Sequence, residues 1–307
     1  MLFFQSRMGR SPLDGLRGAV SFLLAVGLLL FLSPLHAEMR STVDTNPTWS
    51  LARSNPAKLM QLASQHELAN SYGRRPPVRY RLRKITAKSD TTKDIVETSD
   101  GGVARLIAIE GHPLSAARTQ QEVERLQTLD GDPSIEAHRR SGETRDAARI
   151  ANIMRLLPVA FLYQFDGSAE TADGPLIRLK FRPNPKFSPP NFESRVLTGI
   201  RGEAWIDPND FRVVHIRGRI FKTVDYGWGI LGSISPGSTM LIEQSKTPAC
   251  GWQMAHLSLH LNGKELMFKT LHIALDETAS DYQFVSHNWN YKDAVRWLLQ
   301  MPVVPTD

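Results

Sequence analysis

The chain has 307 residues, enough for one large domain or two ordinary ones, which excludes a peptide hormone or a disulfide-stapled mini-protein. Apolar residues make up 41% and charged residues 22%, a balance typical of a globular chain and not of a disordered one. The formal charge of +6 is mild for this length and does not indicate a nucleic-acid binder. The single cysteine excludes an intrachain disulfide and a cysteine-based metal cluster.

The first 37 residues have the order of a cleavable secretory signal peptide. Three arginines precede an uncharged apolar run, 18–32, and small residues follow up to Ala37. The run is shorter than the roughly 20 residues that a membrane-spanning helix needs, which favours a signal peptide. An uncleaved inner-membrane anchor is the alternative interpretation. Cleavage removes three arginines and Asp14, which lowers the net charge from +6 to +4 and leaves 270 residues. The sequence therefore predicts a bacterial periplasmic protein.

Hydrophobic periodicity predicts the elements of the first half of the mature chain. Residues 38–54 are polar and mixed, and are predicted to form a linker. Asn55-Pro56 offers a helix cap followed by proline, and apolar residues recur at helical spacing, which predicts a helix over 56–70. From Val78 the period changes to two, and Ser99-Asp100-Gly101-Gly102 marks a hairpin turn between two strands.

The second half is predicted to be helical and then mostly strands. Helical stripes cover 115–157, with a charged, loop-like stretch at 134–146. Short strands follow at 161–165, 176–181, 195–200, 203–207, 211–221, 254–261 and 266–273, and a last helix covers 291–300. Asn262-Gly263 has the composition of a type I′ turn. Hairpin order without strand–helix alternation indicates an antiparallel sheet and an α+β fold.

The segment Gly227-Trp-Gly-Ile-Leu-Gly232 has the glycine spacing of a dinucleotide site. Such a site needs a helix that starts directly after it and receives the pyrophosphate, and the Ser-, Pro- and Gly-rich sequence that follows cannot form one. We therefore predict no nucleotide cofactor. The segment is predicted to be an apolar loop that either covers a cavity as a lid or tucks into the core.

Polar motifs predict neither a metal site nor a catalytic site. His256 and His260 have the spacing of a metal pair on a helix, but their surroundings predict a strand, on which four residues span about 13 Å. No serine elbow of the form G-x-S-x-G is present. Arg79, Arg81 and Arg83 alternate with apolar residues, and form either a solvated sheet face or a site for an anionic lipid head group or acidic polymer.

The clearest local pattern is the hairpin Gly202-Glu-Ala-Trp-Ile-Asp-Pro-Asn-Asp-Phe-Arg-Val-Val-His-Ile-Arg-Gly218. Together with the order of elements over about 51–290, it resembles the LolA/LolB-like superfamily of bacterial lipoprotein carriers and its RseB-like envelope-sensing relatives. Leu156-Leu-Pro-Val-Ala-Phe161 and the glycine loop resemble secreted proteins of that class, which carry Phe where this chain has Tyr226. The resemblance implies a curved antiparallel sheet that forms an incomplete, half-open barrel, with helices over its concave face and a cavity for acyl chains.

We therefore expect one LolA-like domain over 55–307 that is not an enzyme and holds a lipid or acylated lipoprotein, in outer-membrane lipoprotein sorting or envelope sensing. Expected partners are acyl chains and a protein of the outer or inner membrane, and not nucleic acid. Two hypotheses stay open: an interaction or scaffold module filled by its own side chains, and a secreted hydrolase. The candidates for the apolar cavity or lid are Ile150, Met154, Leu157, Phe161, Trp205, Trp228, Ile230 and Leu231. The candidates for an anionic head group are Arg79, Arg81 and Arg83.

Overall fold

The computed structural model describes residues 46–72, 77–98, 100–227, 231–266, 269–286 and 288–301. The predicted signal peptide, the first part of the predicted linker, Trp228 and Ile230 lie outside the described residues. The helices are α1 (Pro47–Ser54), α2 (Pro56–Tyr72), α3 (Ala116–Gly131), α4 (Pro133–Ala160) and α5 (Tyr291–Gln300), and Glu193–Thr198 is a 3-10 helix. None of the helices in these ranges combines the length and apolarity needed to cross a membrane.

Thirteen strands of the described residues form one antiparallel sheet. They are β1 (Val78–Thr86), β2 (Ser89–Thr98), β3 (Gly101–Ile109), β4 (His112–Pro113), β5 (Phe161–Thr171), β6 (Gly174–Pro183), β7 (Ile200–Ile206), β8 (Val213–Ile220), β9 (Val224–Tyr226), β10 (Gly232–Ile234), β11 (Thr239–Thr247), β12 (Gly251–Glu265) and β13 (Lys269–Phe284). The order is β4-β3-β2-β1-β13-β12-β11-β8-β7-β6-β5, and β10 pairs with both β9 and β12. The two end strands do not pair, so the curved sheet stays open, which confirms the predicted α+β class.

One apolar layer fills the space between the inner, concave face of this sheet and helices α1, α2 and α4. The two-residue period of the strands assigns Leu257, Leu259 and Leu261 to the inner face, where each is at most 1% exposed. Leu59 of α2 and Ile150 of α4 pack against the same layer. The predicted helix over 56–70 and the predicted inward face of the 254–261 strand are both confirmed.

Helices α3 and α5 cover the opposite, outer face at the β2–β3 end of the sheet. Val96 and Val103 point away from the inner layer and pack with Leu126 of α3 and Leu298 of α5. The buried Arg105 donates hydrogen bonds to the Leu298 and Met301 carbonyls, which have no partner within the helix at its C-terminal end. These two helices therefore cover the outer face at the β2–β3 end.

The last eight residues of the predicted linker form helix α1. The Asn46 side chain accepts a hydrogen bond from the Thr48 amide at 2.8 Å, and Pro47 occupies the first turn, so the helix start is well capped. Trp49 is 3% exposed and its ring meets Phe165 edge-on at 6.4 Å. The segment belongs to the core because burial of this indole outweighs the polarity of its neighbours.

The predicted loop at 134–146 is wrong, because α4 runs through it without a break from Pro133 to Ala160. Its charged side chains pair with one another at helical spacing, and Arg139 contacts both Glu136 and Glu143 at 2.6 Å. The same guanidinium donates hydrogen bonds to the Gly102 and Asp100 carbonyls of the β2–β3 turn at 2.8 and 2.7 Å. The polar composition thus reflects contact with a turn, not the absence of a helix.

The predicted strand at 195–200 is also wrong, since the chain forms a 3-10 helix there and β7 starts only at Ile200. The Ser194 hydroxyl donates to the Asn191 carbonyl at 2.9 Å, and the Asn191 side chain accepts from the Ser194 amide at 2.8 Å. Such local bonds between side chain and backbone compete with a strand ladder.

The turn predicted at Asn262-Gly263 is wrong as well, because β12 continues to Glu265 and Gly263 pairs with Leu271 of β13. A Cβ atom on Gly263 would lie 2.0 Å from the Ser233 carbonyl oxygen of β10. Glycine is needed here because a neighbouring strand approaches the backbone closely, which is one of the reasons for glycine within strands.

A buried ion pair joins α2 to the segment before β8. The Glu67 and Arg212 side chains are 1% and 0% exposed, with Oε2 and Nη1 3.1 Å apart. Glu67 Oε1 also accepts from the Val213 amide at 3.2 Å, and Arg212 Nη2 donates to the Gln244 side chain at 3.0 Å. Buried charges are tolerated only with such partners, so this network restricts where α2 can sit on the sheet.

We expect Glu67→Ala to lower the free energy of unfolding by about 3–5 kcal/mol, because it leaves the Arg212 charge buried without its carboxylate. The apolar double variant Glu67→Leu/Arg212→Met removes both charges and should recover most of this loss. Urea unfolding at neutral pH measures both. A single variant that unfolds within about 1 kcal/mol of the natural protein would contradict a buried pair.

We expect Gly263→Ala and Gly142→Ala to change stability in opposite directions. At Gly263 the added methyl group meets the Ser233 carbonyl, whereas at Gly142, within α4, it meets no atom within 4 Å. The first variant should lose about 1–3 kcal/mol through overpacking, and the second should gain about 0.4–1 kcal/mol because alanine favours helix. Thermal unfolding of both variants measures the difference, and a shared sign would refute the β10–β12 contact.

Candidate functional site

The inner apolar layer brings together five of the eight predicted cavity or lid residues. Ile150, Met154 and Phe161 are 3%, 6% and 5% exposed within it, and Leu157 and Leu231 pack against it while partly buried. The apolar stripe of α4 was the signal for Ile150, Met154 and Leu157, since it faces the sheet. The other two candidates from the glycine loop, Trp228 and Ile230, lie outside the described residues.

Aromatic side chains close the layer where α4 runs into β5. The Phe161 ring lies 4.8 Å from that of Phe181, and the Tyr163 ring lies within 6.4 Å of both. The Tyr163 hydroxyl donates to the Leu157 carbonyl of the last helical turn at 2.9 Å. Burial raises the pKa of Tyr163, so its hydroxyl stays neutral. This cluster ties the end of α4 to the sheet edge.

Trp205 is separated from the other candidates. Its neighbours Ala204 and Ile206 are buried in the inner layer, and because strand residues alternate, Trp205 points to the outer face. There its ring stacks on His215 at 4.2 Å and packs near Trp252. It therefore lies across the sheet from Ile150 and Met154 and does not contribute to the same layer.

The basic stripe of β1 has partners within the protein. Arg81 pairs with Asp94 at 2.9 Å and Arg83 with Asp90 at 2.7 Å, both carboxylates lying on the neighbouring strand β2. Hydrogen bonding to Arg83 lowers the pKa of the Asp90 carboxyl. Arg79 hydrogen-bonds to Gln283 and lies over the Trp297 ring at 4.8 Å. A head-group role for this stripe stays a prediction, and a ligand would compete with these contacts.

Sequence reasoning missed a cluster of two histidines and three carboxylates on the outer face. Glu243 of β11 lies between His215 and His256, with Oε1 3.3 Å from His215 Nδ1 and Oε2 3.2 Å from His256 Nδ1. His256 Nε2 lies 2.8 Å from Asp276 Oδ2 on β13, and His215 Nε2 lies 3.9 Å from Glu203 on β7. The outward alternation of β7, β8, β11 and β12 was the available signal, but the register that aligns these residues is not local.

The two imidazoles of this cluster have pKa values shifted in opposite directions. Burial lowers the pKa of His256, but hydrogen bonds to Asp276 and Glu243 outweigh it and raise the pKa above its ordinary value. Burial lowers the pKa of His215, and the Glu243 carboxylate opposes this only in part. On acidification His256 is therefore protonated before His215.

The contacts of His256 do not suit it for the role of a general base. Within the described ranges, both ring nitrogens of His256 face carboxylates, so the protonated ring donates twice and has no free lone pair to accept a proton. Its position on β12 confirms the predicted strand and separates it from His260. The described residues hold no group of three or more His, Cys, Asp or Glu side chains arranged for a metal ion. The cluster connects five strands of the sheet, β7, β8, β11, β12 and β13, through these side-chain contacts.

Two solved structures are similar to this chain over most of its length. One is a domain from Vibrio parahaemolyticus named for outer membrane lipoprotein sorting, with 9% identity, 80% of this chain and 98% of that chain covered, and a TM-score of 0.31. The other is a DUF1329 family protein from Desulfovibrio piger, with 9% identity, 75% and 94% covered, and a TM-score of 0.29. No family model and no curated protein matches the chain. The name of the Vibrio domain is that of the class that the sequence resembles.

We expect His256→Gln to destabilise the fold more at about pH 6 than at about pH 9. The raised pKa means that protonation of His256 stabilises the folded state below the unfolded value of about 6.5, and this contribution is lost as the pH rises through the folded-state pKa. The expected difference is about 0.5–1 kcal/mol in the free energy of urea unfolding. The exposed His260 on the same strand provides the control variant His260→Gln. Equal losses at both pH values would show that the folded protein does not hold His256 charged.

Proposed function

We propose that this protein is a periplasmic, non-catalytic binding protein that holds the acyl chains of a lipid or lipoprotein, in outer-membrane lipoprotein sorting or envelope sensing. The observation that carries the proposal is the continuous apolar layer between the inner face of an open sheet and helices α1, α2 and α4. Each buried acyl CH₂ group contributes about 0.8 kcal/mol, so such a layer supplies affinity without catalytic groups. The signal-peptide order of residues 1–37 supports the periplasmic location.

An acyl chain enters this layer only if the side chains of the layer rearrange, because the described residues already pack against one another. Four methionines lower the free-energy cost of such a rearrangement. Met60 of α2, Met154 of α4, and Met240 and Met254 of the sheet all belong to the same buried cluster. Methionine is unbranched and fits irregular spaces, so these side chains are suited to making room for a flexible ligand. Ile150, Leu157, Phe161 and Leu231 complete the proposed lining.

The openness of the sheet supplies the second part of the proposal. Because β4 and β5 do not pair, no closed ring of hydrogen bonds fixes the width of the concave face. The helices that cover it are held mainly by apolar contacts, with the Glu67–Arg212 pair as the polar anchor of α2. We propose that the ligand enters at the unpaired β5 edge, beside the exposed Val159 in the last turn of α4. Trp228 and Ile230 remain proposed lid residues of the apolar layer.

The first test is lipid mass spectrometry of the full-length protein purified from its native envelope, followed by titration with a fluorescent fatty acid. We expect co-purified acyl chains and saturable uptake. Met60→Ile/Met154→Ile keeps the apolar volume but stiffens the layer through β-branching, and should weaken uptake by about tenfold, or ~1.4 kcal/mol.

Met301→Ile, which lies outside the inner layer, is the matched control, and urea unfolding checks that the fold is retained. A folded protein that carries no lipid and takes up no fatty acid would overturn the proposal.

That negative outcome would favour a second candidate, an envelope interaction or scaffold module. The specific observation behind it is that inner-face side chains such as Leu257, Leu259 and Ile242, with 0% exposure, already fill the layer. A layer that admits no ligand serves to hold the sheet rigid, and the outer face then carries the function.

A further inference from the structure

The outer face of β6, β7 and β8 carries a basic groove of about 720 Å³ that lies at the end of the sheet opposite α3 and α5. Two cross-strand rows form it. In the first row Arg201 of β7 stands directly opposite Arg219 of β8, and Arg182 of β6 lies one residue beyond the Phe181–Gly202 pair, next to Arg201. In the second row the residues are Lys180, Glu203 and Arg217, which are paired in register.

The groove has an unbalanced positive charge. Its lining holds five cationic side chains and one carboxylate, Glu203, which contacts Arg217 at 3.6 Å. Lys180 pairs with Asp166 at 2.7 Å, at the margin. No carboxylate of the described ranges lies within ion-pair distance of Arg182, Arg201 or Arg219. Like charges placed opposite each other on neighbouring strands destabilise a sheet, so this row is costly unless an anion binds it.

Exposed apolar side chains flank the same groove. Leu162, which pairs with Arg182 across β5 and β6, is 39% exposed, and Phe221, just after β8, is also 39% exposed. The Phe221 ring has two cations near it, with Arg201 at 5.3 Å and Lys222 at 6.0 Å from its centroid. Apolar side chains set among cations are typical of surfaces that lie in the boundary between lipid head groups and acyl chains.

We propose that this groove docks the protein onto the anionic surface of a phospholipid bilayer. The guanidinium groups of Arg182, Arg201 and Arg219 bind lipid phosphates, whose oxygens match the planar donor fork of arginine. Leu162 and Phe221 enter the interfacial region on either side. The inner apolar layer lies on the other face of the same strands, so the protein binds the membrane with its acyl-binding face turned away from it.

The shape and composition of the groove favour a bilayer over a small soluble anion. The arginine side chains are exposed in an open groove, whereas a single phosphate is held best by an enclosed nest of donors. A soluble anion also gains nothing from Leu162 and Phe221, which a head-group layer buries. The proposal does not depend on acyl binding, because the arginine side chains that carry it do not belong to the inner apolar layer.

Co-sedimentation of the full-length protein with vesicles tests the proposal. Retention is expected on phosphatidylglycerol mixed with phosphatidylcholine and not on phosphatidylcholine alone. It should fall steeply between about 0.1 M and about 1 M NaCl, as the screening length shortens from ~10 Å to ~3 Å. Arg201→Glu/Arg219→Glu should reduce the partition coefficient by about tenfold or more.

The matched control Lys88→Glu/Arg118→Glu makes the same change in net charge with exposed side chains at the other end of the sheet and should retain most of the binding. Leu162→Ser/Phe221→Ser should weaken retention while its salt dependence persists. Fatty-acid uptake by the Arg201→Glu/Arg219→Glu protein serves as the folding control and should be unchanged if the inner layer binds acyl chains; otherwise urea unfolding replaces it.

Three results would overturn the proposal: equal retention on neutral and anionic vesicles, equal losses in the groove and control variants, or complete competition by millimolar inorganic phosphate, which would assign the groove to a free anion.

Discussion

Covering the inner face is the constraint on which the rest of this fold depends. Alternate side chains of every long strand point to that face and form an apolar surface whose exposure to water is unfavourable. Because the end strands do not pair, the sheet cannot bury this surface by closing, and three helices from two parts of the chain must cover it. Apolar contacts are not directional and do not by themselves fix the position of α2. The Glu67–Arg212 pair fixes it, because a small displacement of α2 would break this contact.

The same alternation leaves a second face with a different chemistry. At one end α3 and α5 cover it, in the middle the His215–Glu243–His256 cluster joins three strands, and at the far end the arginines of β6, β7 and β8 stay exposed. Strand residues on the two faces do not share neighbours, so an acyl-binding layer and a head-group surface can coexist in one sheet. A protein that both holds a lipid and meets a membrane needs this separation of apolar and charged surfaces.

Element types were largely predictable from the sequence because periodicity and caps are local. The helix at 56–70, the hairpin around 99–102 and the last helix at 291–300 all follow from spacing within one segment. The predictions of secondary structure were wrong where contacts with residues distant in sequence outweighed the local composition. The charged stretch 134–146 is helical because Arg139 reaches the carbonyls of a remote turn, and Gly263 lies within a strand because β10 approaches it closely.

For the site, the helical spacing of apolar residues by itself placed Ile150 and Met154 in the layer that covers the sheet, but the sequence also assigned Trp205 to this layer, although its side chain faces the other side. It could not determine which charges meet. Only the register between strands decides that the arginines of β1 pair with carboxylates of β2, whereas Arg201 faces Arg219. The physical reason is that alternation fixes a side chain's face within its own strand, while its neighbours on that face depend on strand order and register, which the packing of the whole sheet sets.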